Sequence, residues 1–164
     1  MTFDDFSIDS TKRFHNDSSG IDAAEAELGI RFPDGYREFM TRFGEGALAD
    51  YVRVYPPHQL LAGDNCVVEW RKRIEEYWFW DDGIDVLTKE KALESCIIAD
   101  TLDGDELITH PSDPDRLYVL PRHEEMIYVA GDGLLAAIEW LLTSGTLTDP
   151  IEERNFDPFD SQQS

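Results

Sequence analysis

Basic side chains are scarce in this chain: 14 lysines and arginines stand against 35 aspartates and glutamates, a formal net charge of −21. Such a balance lacks the basic footprint that holds nucleic acid or an anionic membrane, so neither is an expected partner. It attracts cationic partners instead, although acidity also serves solubility or a salt-adapted source. Cysteine is nearly absent. Cys66 and Cys96 lie far apart and, without a secretory leader, are expected to be reduced, buried thiols. His15, His58, His110 and His123 are scattered without helical or finger-type spacing, which argues against a zinc site. No apolar run approaches the length of a membrane span. The start, Met1-Thr2-Phe3-Asp4-Asp5, has neither the basic residues nor the apolar stretch of a signal peptide, so a cytoplasmic location is expected.

What is present is a globular mixture, 41% apolar and 12% aromatic, too apolar for general disorder. A chain of 164 residues suits one domain with its own core. Residues 1–18 and 146–164 read as acidic, polar extensions of a core over 19–143. The second extension carries Asp149, Glu152, Glu153, Asp157 and Asp160 with Pro150 and Pro158 and no apolar stripe, so it is expected on the surface.

Periodicity places a helical hairpin first. Ser19 can cap a helix with Asp22 three residues on, as in a capping box; Ile21, Ala24 and Leu28 share a face, and Gly29 ends it. Pro33 is placed to start a second helix, with Tyr36, Phe39, Met40 and Phe43 as its stripe and Gly44 as its stop. Tyr51 to Tyr55 alternates like a strand before Pro56-Pro57. From about Asn65 to Trp80 the pattern is helical, with Val67, Trp70, Ile74 and Tyr77 on one face. Thr88 can cap a short helix through Glu94.

The period then changes. Segments 96–99 and 106–109 flank Asp103-Gly104, a favoured hairpin turn, and strand-like segments follow at 116–120 and 126–130. Consecutive strands with short connections imply a mostly antiparallel sheet of four to six strands with helices packed against it, an α/β fold of the α+β type. Asp132 can cap a last helix carrying Leu134, Leu135, Ile138, Leu141 and Leu142, with Gly145 at its end.

Motifs for chemistry fail on context. Gly44-Glu45-Gly46-Ala47-Leu48-Ala49 has dinucleotide-fingerprint spacing, but it follows a helix where that motif must open one. Asp100, Asp103, Asp105 and Glu106 lack the glycine position of a calcium loop and read as a hairpin turn. No nucleophile elbow is present. With so many acids, any carboxylate pair has chance proximity as its default explanation. No catalytic residue, cofactor or metal is expected.

One segment stands apart: Glu75-Glu76-Tyr77-Trp78-Phe79-Trp80-Asp81-Asp82. On a helix, four successive aromatics point in every direction, so they cannot all face one core. Exposed aromatics edged by acids suit a basic protein partner, making Glu75, Glu76, Trp78, Trp80, Asp81 and Asp82 the candidate contact residues. The alternative is that the sheet and tail cover the rings.

Residues 21–39, with Glu25-x-x-Leu28-Gly29, then Phe32-Pro33-x-x-Tyr36-x-x-Phe39, and the turn Gly44-Glu45-Gly46 resemble the opening of the SUKH superfamily, also called Smi/Knr-like. Phe32 stands where leucine is usual. The later order, strands and then Gly131-Asp132-Gly133 before an amphipathic helix, is similar too. The resemblance implies a four- to six-stranded sheet with packed helices, and a protein that binds. Many bacterial members are immunity proteins that neutralise a cognate toxin, often a nuclease or deaminase; a Smi/Knr-type interaction or regulatory module is the other expectation.

Overall fold

The computed structural model describes residues 1–8, 14, 18–63, 66–77, 80, 85–124 and 126–159. Its centre is an eight-stranded sheet of order β1-β8-β2-β3-β4-β5-β6-β7. The strands are β1 (Ser7–Ile8), β2 (Gly46–Leu48), β3 (Val52–Val54), β4 (Cys96–Thr101), β5 (Glu106–His110), β6 (Asp113–Leu120), β7 (Tyr128–Asp132) and β8 (Asn155–Pro158). Every pairing is antiparallel except that of β1 with β8. The expected class is therefore observed with more strands than the four to six anticipated. The extra strands are two to four residues long, too short to leave an alternating signature.

Helices α1 (Ser18–Leu28), α2 (Tyr36–Arg42), α3 (Pro57–Leu61), α4 (Val67–Ile74), α5 (Lys89–Leu93) and α6 (Leu134–Thr143) complete the fold. Both faces of β4 and β5 are covered, and their residues are buried almost without interruption, which is why these strands read as apolar runs more than alternating ones. The α2 stripe Tyr36, Phe39, Met40 and Phe43 is fully buried, and Tyr36 Oη donates to the Tyr55 carbonyl at 2.7 Å. Cys66 and Cys96 are both buried and unbridged.

Several boundaries differ from the sequence reading. Ser19 lies inside α1, which begins at Ser18; Asp22 instead meets Arg37 of α2 at 2.5 Å. Pro33 stands in the turn ahead of α2, its carbonyl accepting from the Tyr36 amide, and Gly35 at φ 91° takes the left-handed cap position. Asp132 ends β7, so Gly133 precedes α6; its amide donates to the Asp115 carbonyl. Helix α4 stops at Ile74, well short of Trp80. Thr88 does cap α5, accepting from the Lys91 amide at 3.2 Å.

The larger correction concerns the two extensions. Residues 146–159 were expected on the surface, but β8 lies within the sheet between β1 and β2. Phe156 is fully buried, edge-on to Phe39 and against Phe43. At the other end, Phe3 and Phe6 are core residues, and Phe3 packs on Phe39 and Phe43. Each segment contributes one or two rings and a short strand, so neither carries a periodic signal.

Candidate binding site

The candidate contact segment begins where α4 ends. Glu75 and Glu76 are exposed on the turn that follows Ile74. Trp80 is only 9% exposed, and its indole N–H donates to the Ile74 carbonyl at 2.9 Å. It thus folds back onto the end of α4 as a core residue, and the expected outward placement does not hold for it. Trp78, Asp81 and Asp82 lie outside the described residues. Tyr77 is half-buried, and its hydroxyl donates to Glu106 Oε1 at 2.8 Å.

That hydrogen bond leads to a cavity of about 630 Å³ over the middle of the sheet, edged by α4 and the turns after β4 and β6. Its floor is a row of side chains in register: Arg53 of β3 opposite Asp100 of β4, and Asp100 opposite Glu106 of β5. Arg53 grips Asp100 with Nε and an Nη, each at 2.8 Å, and Tyr55 Oη adds a third bond at 2.7 Å. Burial still raises the Asp100 carboxyl above its ordinary value, against these hydrogen bonds. Burial, with Asp100 alongside, pushes the Tyr55 phenol up as well.

Glu106 is less completely served. It is 8% exposed, and Tyr77 is its hydrogen-bonding partner among the described residues. The Trp70 indole lies near enough to favour the carboxylate but completes no hydrogen bond of normal geometry, leaving a buried N–H unsatisfied. Burial therefore dominates and pushes the Glu106 carboxyl up to about 7, against the opposing effects of Tyr77, Trp70 and Arg73. Arg73 of α4 and Arg122 after β6 stand at the cavity with Leu102, Leu120 and Pro121. Sequence reading took Asp100 and Glu106 as hairpin residues, which they are. It missed that the strand register sets them beside Arg53, because cross-strand pairing is non-local.

The signature segment at residues 21–39 serves packing. Glu25 Oε2 accepts from the Phe32 amide at 2.7 Å, while its other oxygen meets Arg37 at 3.1 Å. Gly29, at φ 67°, lets α1 end so that the chain can turn back to this carboxylate. Asp115 accepts from the Asp34 amide at 2.8 Å; that bond and the Arg31 guanidinium hold its carboxyl below the usual range.

The mostly antiparallel sheet with helices packed on it is an α+β fold. The chain belongs to the SMI1 / KNR4 family (SUKH-1), whose model matches residues 17–133. The match ends just before α6, so that helix and β8 fall outside it although both contribute core residues. Comparison with curated proteins finds no match. No helix among the described residues is long and apolar enough to cross a membrane.

Proposed function

We propose that this chain is an immunity protein that binds and neutralises a cognate bacterial toxin, a nuclease or another domain with a basic surface. The observation that carries this reading is the net charge of −21 on a member of the SMI1 / KNR4 family. A nuclease presents cations to phosphate, and an acidic protein can occupy the same surface and associate at raised rates. Inhibition then requires occlusion, with no catalytic step. The proposed contact segment is residues 75–82. Glu75, Glu76, Asp81 and Asp82 supply charge, Trp78 supplies apolar contact, and Trp80 anchors the segment from inside.

Co-expression with the toxin-like reading frame nearest to the gene tests this. Survival is expected, with loss of protection when Glu75, Glu76, Asp81 and Asp82 become lysine in a variant that still folds. Protection that persists in that variant would remove segment 75–82 from the interface while keeping the function. Absence of both rescue and co-purification would defeat the immunity reading. Capture of several host proteins in place of a toxin would favour a Smi/Knr-type regulatory module.

A further inference from the structure

Basic residues are few in this chain, yet three of its 14, Arg53, Arg73 and Arg122, border one cavity. That concentration runs against the charge of the rest of the protein. Arg53 is held in place by its two bonds to Asp100, which leaves further N–H donors of the guanidinium for another group. Arg73 and Arg122 are exposed at the rim. The volume, about 630 Å³, lies in the range of small-molecule sites, roughly 300–1,000 Å³. Leu102, Leu120, Pro121 and the two tyrosines offer less polar wall beside the arginines.

The floor offers an acceptor as well: Glu106, 8% exposed, accepts from Tyr77 through Oε1. A carboxylate has acceptor capacity beyond one such bond, so it can also take a donor from a ligand. Guanidinium groups match the several oxygens of a phosphate bidentately, and a base or sugar supplies hydroxyl or amino donors for a carboxylate. We propose that this cavity binds a phosphorylated small molecule of nucleotide size, its phosphate at Arg53, Arg73 and Arg122 and a donor group against Glu106. The cavity adjoins the proposed toxin contact, with Tyr77 common to both, but the ligand reading rests on the cavity and its arginines and not on the immunity reading.

Calorimetric titration of the intact protein with AMP at low salt provides the test, with N-acetyl-lysine amide as a cationic control. Saturable AMP binding is expected. It should weaken roughly tenfold or more in the double variant Arg73→Gln/Arg122→Gln, since each charge-assisted contact contributes about that factor. Both side chains are exposed, so the variant should fold, as circular dichroism would verify. Glu106→Ala should weaken AMP binding as well, through loss of the floor acceptor. No saturation by about 10 mM AMP, a free energy weaker than about 3 kcal/mol, would overturn the proposal. So would equal affinity in the double variant, or binding of the lysine amide in place of AMP.

Discussion

The ring of Phe156 occupies the space that a side chain on Gly46 would need. A Cβ built on Gly46 would stand 2.5 Å from Phe156 Cζ and 2.5 Å from the Asp157 carbonyl oxygen. The second glycine of the Gly44-Glu45-Gly46 turn is thus a seat for the C-terminal strand, while Gly44, at φ 82°, terminates α2 in the left-handed region.

Gly46→Ala should therefore destabilise the protein by about 1–3 kcal/mol, because the neighbour that must give way includes β8 backbone. Phe156→Ala should cost about 3–5 kcal/mol by emptying the space between Phe39 and Phe43. In the double variant the alanine methyl meets no ring, so the two losses should be less than additive. Urea unfolding of the three variants measures this; strict additivity would show that the ring and the glycine do not share one space.

Truncation after Thr148 extends the same reasoning. It removes β8, uncovers an edge of β2 and leaves β1 without its partner. The truncated chain should unfold at a markedly lower temperature and be prone to association through the open edge. A truncated protein with the melting temperature of the full chain would mean that β8 contributes no stability.

How far this fold is legible in sequence depends on the range of the contacts. The α1–α2 hairpin, α5 with its Thr88 cap and the β4–β5 turn at Gly104 rest on interactions within a few residues, and each was readable. Phe156 and Phe3 reach the core through partners more than thirty residues away, and one apolar residue in a polar stretch has no period. The same holds for the candidate site. Four aromatics at 77–80 mark an unusual segment, but a helical reading of them misplaces Trp80, because α4 ends at Ile74 and the indole turns back to cap it. The Arg53–Asp100–Glu106 row depends on the register of three strands, and charge counting along the chain cannot bring these residues together.

The Thr88 cap offers a local check on the energetics. Its hydroxyl oxygen accepts from the Lys91 amide, satisfying one of the orphan donors at the start of α5. Thr88→Ala should lower stability by about 1 kcal/mol, and Thr88→Ser should restore most of it. A serine variant as unstable as the alanine one would assign the loss to the missing methyl group instead of the hydrogen bond.

Glu106 makes a prediction with a sign that differs from most carboxylates. Its folded value of about 7 lies above the ordinary 4.5, so between those limits the folded protein holds a proton that the unfolded chain releases. Stability should be greatest below about pH 4.5 as far as this residue is concerned, fall as pH rises toward 7, and level off above it. The full swing corresponds to about 3 kcal/mol. Arg53, Arg73, Tyr77 and Trp70 surround the group together with Asp100, a like charge whose own carboxyl is also raised by burial. Glu106→Gln keeps a carbonyl oxygen for the Tyr77 hydroxyl and never ionises. At pH 8 it should therefore be more stable than the parent by up to about 3 kcal/mol, with the advantage shrinking as pH falls to 5. Chemical unfolding at pH 5, 6, 7 and 8 reads this directly. If the parent and the variant keep a constant stability difference over that range, Glu106 titrates normally and its burial is relieved by solvent.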